Sequence, residues 1–308
     1  MRPWHARPVA LLDRAAARLP LPKGSFLFGV LVGVWAYNWV VTKNVLQYIG
    51  AFDFAAYRAL VGALVLFLVM RLSGRPICRP PLLPMLWLGS LQTCGFMLLS
   101  NLALYHGGAG KVAVLAYTMP FWTLLFAWHW LGEKVAGLQW LALALATSGM
   151  WAVIDPGHMQ GSLASKALAI GSGVCWAAAT VYAKWLRPRL ANVDLLSMTA
   201  WQMAFGALLL LGMSAVMPSQ PVKPSPYFWF ALAYSGVLAS GWGWWVWMCA
   251  LQKLPAGTIG LNALAVPVLA VLAAWLEQGE QPDHMEMGGM LSVGVGLLLL
   301  ARHDGRRK

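Results

Sequence analysis

The chain has 308 residues, of which 60% are hydrophobic and only 10% are charged, and its formal net charge is +12. A soluble domain carries roughly a quarter charged residues, so this composition excludes most soluble classes. The basic residues occur in short clusters between apolar runs rather than along one face of a soluble domain, which argues against nucleic-acid binding. In lipid only helices and closed barrels satisfy their backbone polar groups, and these runs are too long for barrel strands. We therefore predict an all-α membrane protein.

Taken in chain order, the runs predict an N-terminal cytoplasmic arm at 1–24, ten transmembrane helices and a basic cytoplasmic tail at 302–308. Most runs approach the roughly 20 residues that cross a bilayer as a helix. The arm has no clear cleavage site, and the span after it is too long for the core of a signal peptide. The spans are predicted at about 25–48, 53–72, 82–105, 109–131, 135–154, 163–186, 193–217, 227–252, 255–277 and 284–301.

The basic residues predict the orientation of these spans. Cytoplasmic segments carry an excess of Lys and Arg. With both termini in the cytoplasm, 17 of the 22 basic residues fall in cytoplasmic segments and five, at positions 43, 58, 111, 166 and 223, fall outside. The acidic residues Glu277, Glu280, Asp283 and Glu286 then fall in one external turn. Both termini are therefore expected in the cytoplasm, with the protein in the cell inner membrane.

The fourth and ninth spans repeat one another without a gap at an offset of 147. In this register Pro120 matches Pro267, and Gly132-Glu133 matches Gly279-Glu280. Weaker matches pair Trp35 with Trp176 at an offset of 141 and Gly62-Ala63-Leu64 with Gly206-Ala207-Leu208. The units are residues 25–154 and 163–301, each with five helices. Because five is odd, the second unit must be inverted in the membrane relative to the first.

Inverted repeats are typical of secondary transporters, whose binding site lies near the midplane between the halves. The alternative is a duplication kept only for folding. A proline inside a helix removes one hydrogen bond and kinks the helix, so Pro120 and Pro267 are predicted to kink equivalent helices and to act as hinges. Each kink could equally be structural only.

Several segments resemble a known family: VWAYNW at 34–39, FAAYR at 54–58, and AVLAYTMP at 113–120, which continues to Leu131-Gly132-Glu133. They are similar to the EamA branch of the drug/metabolite transporter superfamily, and the resemblance covers nearly the whole chain. It implies ten helices around a central cavity, alternating access and export of small metabolites, often amino acids. Members differ widely in substrate, so the resemblance indicates fold better than cargo.

The spans carry no Asp, Glu, Lys or Arg near their middle. Charges there are costly and usually functional. Small multidrug exporters of the same superfamily exchange protons for cationic drugs through a buried glutamate, and without one that route is disfavoured. A neutral or zwitterionic substrate held by aromatic rings and uncharged polar groups fits better.

Candidate substrate-binding residues are the aromatic and uncharged polar side chains in mid-span, although an isolated Asn or Gln often only bonds a neighbouring helix. They are Trp35, Tyr37 and Asn38 on the first span, Gln92 and Asn101 on the third, Tyr117 and Thr118 on the fourth, Trp176 and Thr180 on the sixth, and Asn262 on the ninth. Arg58 begins the second span beside Asp53 and is interpreted mainly as an interface anchor, the alternative being a gate residue that contacts a carboxylate at the outer mouth. Glu133 and Glu280 close equivalent helices, where they stabilise loops or serve as gates.

No cofactor, metal site or catalytic residue is expected. The four cysteines form no CxxC pair, and the motifs HExxH, GxSxG and GxxxxGK[ST] are absent. The expected function is secondary transport of small neutral metabolites, either facilitated or coupled to an ion gradient. The alternatives are export of lipophilic drugs and, far behind, an intramembrane enzyme. The expected partners are a small-molecule substrate and the bilayer, not nucleic acid, and the oligomeric state stays open, with a monomer as one option.

Overall fold

The structure is a computed structural model, and it describes residues 21–77, 80–132, 137, 140–141, 144–145, 147–149, 152, 162–190, 193–217, 220–247, 265–281 and 284–306. Within these residues the chain is helical and contains no β-strand. The helices are α1 (Leu21–Val45), α2 (Ala51–Leu72), α3 (Leu82–His106), α4 (Ala109–Leu131), α5 (Leu163–Leu186), α6 (Leu195–Val216), α7 (Pro226–Ala233, continued by Tyr234–Trp242 and residues 243–247), α8 (Ala265–Gln278) and α9 (His284–Arg306).

Over the described ranges, five helices are long and apolar enough to cross a bilayer, namely α2, α3, α4, α5 and α6. They coincide with the predicted second, third, fourth, sixth and seventh spans. The all-α membrane fold is therefore confirmed. The fifth predicted span and the junction of the eighth and ninth lie largely outside the described residues, so the total of ten and the orientation stay predictions.

The helix contacts follow the sequence repeat, in which α1 to α4 correspond to α5 to α8. Helix α2 packs against its equivalent α6, and α4 packs against its equivalent α8. The remaining large contacts also have counterparts: α2 with α7 and α6 with α3, α1 with α8 and α5 with α4, and α3 with α5 and the less extensive α7 with α1. Exchanging the two halves thus maps these large contacts onto one another, as expected for two related units facing each other.

Helices α3 and α7 contain equivalent π-helical segments, Gly89–Gly95 and Tyr234–Trp242. At both segments the chain crosses a neighbouring helix at a glycine. A Cβ atom at Gly206 would lie 2.7 Å from the Gly89 carbonyl oxygen, and one at Gly62 would lie 2.9 Å from the Ser240 Cβ. Small residues allow such close approach between membrane helices. The weak sequence match between residues 62–64 and 206–208 therefore marks two close crossings, one of α2 with α7 and one of α6 with α3.

Helix α4 is interrupted next to Pro120. Its first part ends at Ala116, and its second part begins at Met119, after Thr118. Proline cannot donate to the carbonyl four residues earlier, which here belongs to Ala116. That carbonyl points at α5, where a Cβ atom at Gly173 would lie 2.6 Å from its oxygen. The kink is thus packed against the helix that carries Trp176.

Candidate functional site

The repeat-related tryptophans Trp35 and Trp176 meet the same helix, α7. The Trp35 indole nitrogen donates to the Ala239 carbonyl at 3.0 Å, and its ring lies 5.4 Å from that of Trp247. A π-helical segment such as the one around Ala239 disturbs the regular bonding and leaves a carbonyl available. Trp176 lies 5.2 Å from Trp244, so aromatic rings connect α1 to α5 through α7.

The polar residues on α1 also face α7 and α8. Asn38 accepts a hydrogen bond from the Ser235 hydroxyl at 2.8 Å. The Tyr37 hydroxyl donates to the Glu277 carboxylate at 2.8 Å, and the Tyr37 ring packs edge-on against Tyr234 at 5.8 Å. The structure thus brings Trp35, Tyr37 and Asn38 together on one seam between α1 and the second half.

The remaining predicted polar residues are dispersed. Gln92 accepts from the Gln202 amide at 2.8 Å, which links α3 to α6 across the repeat boundary. Thr180 is exposed and donates to the Trp176 carbonyl at 2.8 Å. Sequence reasoning missed Gln202, although a glutamine within an otherwise apolar span was a visible signal.

Three candidates are enclosed in this conformation. The Asn101 amide donates to the Ala51 carbonyl at 3.2 Å, and Asn101 has 0% exposure. Thr118 is equally enclosed and donates to the Leu115 carbonyl at 2.6 Å. Tyr117 is buried against Trp39, with ring centroids 6.4 Å apart. In this conformation Asn101 and Tyr117 connect neighbouring helices, whereas Thr118 bonds within α4.

Arg58 corrects the sequence interpretation. An interface anchor extends its charged head to water, but Arg58 is only 6% exposed, and its guanidinium donates to the Thr42 hydroxyl at 3.5 Å. Its Nε atom is buried without a hydrogen-bond partner. The side chain points into the bundle because α2 begins at Ala51, which places Arg58 two turns inside the helix.

Glu280 accepts hydrogen bonds from the backbone amides of Ala109 and Gly110, at 2.8 and 3.1 Å. These amides begin α4, where the first turn lacks internal acceptors and the helix dipole favours an anion. The left-handed Gly279, at φ 68°, turns the chain after α8 toward this helix end. Glu280 also borders a cavity of about 270 Å³ that includes Lys111 and Lys166.

Two predicted site residues, Asn262 and Glu133, lie outside the described residues. Pro267 is buried in the first turn of α8, and the residues before Ala265, where its kink was predicted, also lie outside them. In the part of the chain that is described, no group of three His, Cys, Asp or Glu side chains is placed to hold a metal ion.

Glu277 is the residue that sequence reasoning did not select. The prediction assigned it to an external turn, yet it contacts Tyr37, a residue in the middle of the first predicted span. The position of Glu277 along α8 could have indicated that its side chain faces the bundle. Glu277 follows the buried residues Ala270 and Ala274 by seven and three positions, so it continues their stripe toward the bundle.

A bundle of apolar helices built from two repeated halves, with aromatic and uncharged polar side chains where the halves meet, defines a multi-pass membrane transporter. The chain belongs to the EamA-like transporter family, whose model matches residues 23–154 and 164–302. The family and its named relatives are transporters rather than enzymes. Membership of the family therefore supports a role in transport and not in catalysis.

Similar proteins span nearly the whole chain. "Uncharacterized transporter YoaV" of Bacillus subtilis is 25% identical over 89% of this chain and 95% of its own length. "Probable terminal-alkyne amino-acid exporter" of Streptantibioticus cattleyicolor is 25% identical over 94% and 97%. "Probable amino-acid metabolite efflux pump" of Escherichia coli is 23% identical over 90% and 94%. A solved crystal structure with 18% identity superposes with a TM-score of 0.65 over 92% of this chain and 98% of its own, which shows the shared fold.

Proposed function

We propose that the protein is a secondary transporter of the cell inner membrane that exports small neutral or zwitterionic metabolites, with amino acids as the leading class. The observation that carries this proposal is the convergence of Trp35 and Trp176 on α7. Tryptophans related by the repeat meet there with uncharged polar neighbours. Such a lining fits a ligand that is partly apolar and carries few polar groups. The names of two relatives also refer to amino-acid export.

The proposal includes alternating access, which the same arrangement supports. Two matched halves that pack through equivalent helices have two equivalent ways of closing, one at each face of the membrane. The interrupted helix α4 supplies a hinge next to Pro120, because its freed carbonyl already packs against Gly173 rather than continuing the helix. Trp176 lies one turn after Gly173, so movement at the hinge is transmitted to the proposed site.

The test is counterflow in proteoliposomes with purified protein and a panel of labelled amino acids. We expect saturable exchange of at least one of them, reduced about tenfold or more in Trp176→Ala, because losing a ring that contacts ligand removes about 1.5–3 kcal/mol. Trp229→Ala is the matched control. It removes the same ring from a side chain that is 60% exposed on the outside of the bundle, and exchange should persist.

Absence of exchange above empty liposomes, in either orientation of the protein, would contradict the amino-acid proposal. Lipophilic compounds would then be the next panel. Equal losses in Trp176→Ala and Trp229→Ala would instead place the substrate away from Trp176.

A further inference from the structure

The Glu277 carboxylate faces the helix bundle at the end of α8. Val266, Ala270 and Ala274 form the buried stripe of this helix, and Glu277 continues it. The exposed residues Leu272 and Leu276 lie on the other side. Glu277 itself is accessible because the helix ends one residue later. A carboxylate at this position is accessible and is directed toward α1, where its hydrogen-bond donors lie.

The partners of this carboxylate are uncharged. One oxygen accepts from the Tyr37 hydroxyl at 2.8 Å, and the other accepts from the Asn44 amide at 2.9 Å. Among the described residues, no basic side chain lies within ion-pair distance of Glu277. Its negative charge is therefore oriented by two neutral donors without a cation to balance it. An accessible carboxylate with neutral neighbours is available to form charge-assisted hydrogen bonds with a cationic solute.

Two polar atoms beside this carboxylate are buried and, among the described residues, make no hydrogen bond of good geometry, although the Asn44 side chain lies close to the second of them. They are the Gln278 Oε1 atom and the Tyr227 hydroxyl. Gln278 is held in place by its own amide, which donates to the Asn44 Oδ1 atom at 2.7 Å. Buried polar atoms without partners are uncommon and call for an explanation. A ligand with several N–H donors would supply the missing hydrogen bonds, and an ammonium group has three.

Aromatic rings surround the same place. Tyr37 lies 5.8 Å from Tyr234, which lies 5.8 Å from Phe230. Phe230 lies 5.9 Å from Tyr227, and Tyr227 lies 5.9 Å from Tyr48. The faces of aromatic rings attract ammonium groups, and rings beside a carboxylate are a common way to recognise them.

From these contacts we propose that Glu277, Gln278 and Tyr227 form a binding site for an organic ammonium group, with the rings of Tyr37 and Tyr234 beside it. The carboxylate supplies the counter-charge, and the amide and phenol oxygens accept N–H donors. The proposal rests on the proposed function in one respect, which is that the ammonium group belongs to the transported metabolite. It assigns the amine end of a zwitterion to the mouth between α1, α7 and α8.

Ligand binding without transport tests this site. Phenethylammonium chloride is added to the purified protein in detergent at constant ionic strength, and the melting temperature is followed against concentration, because a ligand that binds the folded state raises it. We expect a saturable rise in the wild type. In Glu277→Gln the apparent affinity should fall at least about tenfold, as expected from the loss of a charged hydrogen-bonding partner. The uncharged analogue 2-phenylethanol should give the same response in both proteins.

Tyr227→Phe is the second variant. Among the described residues its hydroxyl makes no hydrogen bond of good geometry, so the melting temperature without ligand should change little, whereas the affinity for phenethylammonium should fall severalfold. Asp194→Asn is the matched control for the loss of one carboxylate. Asp194 caps α6, a role that asparagine retains, and the ammonium affinity should stay unchanged.

Wild-type affinity for phenethylammonium in both Glu277→Gln and Tyr227→Phe would overturn the proposal, as would an equal response of the wild type to 2-phenylethanol. If Glu277→Gln does not fold, Tyr227→Phe decides alone. Failure of the proposed function has a different signature. In that case labelled amino acids show no counterflow, while phenethylammonium still binds in a manner that depends on Glu277.

Discussion

Glu280 shows how one side chain links the two halves of the molecule. Its carboxylate accepts from the Ala109 and Gly110 amides, so the loop after α8 in the second half caps a helix of the first half. The space for it exists because residue 108 is glycine. A Cβ atom at Gly108 would lie 2.5 Å from the Glu280 Oε2 atom. Capping carboxylates of this kind stabilise a helix start through hydrogen bonds and the helix dipole.

We predict that Glu280→Ala lowers the free energy of unfolding by about 1–2 kcal/mol, the usual cost of losing a cap. Gly108→Ala should have a similar effect, because the new methyl group displaces the carboxylate. The two changes remove one interaction, so the double variant should be little worse than either single variant. The measurement is unfolding of the purified protein by a denaturing detergent, and additive losses would contradict the capping role.

The repeated Gly-Glu pair was enough to select Glu280 as a residue that stabilises a loop or serves as a gate. The interpretation of Arg58 as an interface anchor rested on a different signal and does not agree with the structure. Its position near a predicted span boundary suggested a side chain reaching water, but α2 begins at Ala51, and the guanidinium is buried against Thr42. A shift of a few residues in a helix start moves a side chain from the interface to the interior, and hydropathy does not define helix starts that closely.

At the scale of elements, the helix crossings depend on residues too small to contribute to hydropathy. Gly206 of α6 meets Gly89 of α3, and Gly62 of α2 meets the π-helical segment of α7. At these crossings the repeat-related helices α2 and α6 contact the π-helical segments of α7 and α3. Both segments lie next to the proposed site. They are therefore expected to control both stability and the position of α7.

Gly206→Leu should destabilise the protein by about 1–3 kcal/mol or more, because overpacking a close contact forces the backbone to shift. Gly212→Leu is the matched control on the same helix, since nothing lies within 4 Å of a Cβ atom there. The measurement is the melting temperature of each purified variant in detergent. Equal melting temperatures for the two variants would show that the α3–α6 crossing tolerates a larger residue.

Helix α4 shows what local sequence can predict at this scale. Pro120 predicted an interruption, and the helix is interrupted from Ala116 to Met119. The partner of the freed carbonyl, Gly173 of α5, was not predictable, because the two residues are more than 50 positions apart. The π-helical segments were not predicted either, since nothing in the residue pattern of α3 or α7 marks the extra residue per turn.

For the whole molecule, contacts between helix ends agree with the predicted alternation of the spans. The backbone amide of Lys223 donates to Tyr48, and Ser165 donates to Ala103, so ends predicted on the outer side lie together. At the other face Arg75 pairs with Asp194 at 3.2 Å, and both were assigned to the cytoplasmic side. These contacts group the ends into two faces. Which face is cytoplasmic remains a prediction from the distribution of Lys and Arg.

Cysteine labelling would test that orientation. In a variant without the native cysteines, Lys223→Cys should react with a membrane-impermeant maleimide in intact cells, and Ile77→Cys should react only after permeabilisation. Both side chains are exposed, so access depends on the side of the membrane. The opposite pattern would invert the topology, and labelling of both in intact cells would show that the two loops lie on the same side.

The sequence by itself determined the class of the protein, its repeat and its family. Hydropathy follows from bilayer thickness, and repeated residues in register survive as a pattern along the chain. The tertiary structure alone decided which side chains meet. Glu277 lies 240 positions from Tyr37 and 233 from Asn44, and no local pattern connects residues so far apart. Packing brought the Glu277 carboxylate, its two neutral donors and a row of aromatic rings together, because helices from both halves meet there.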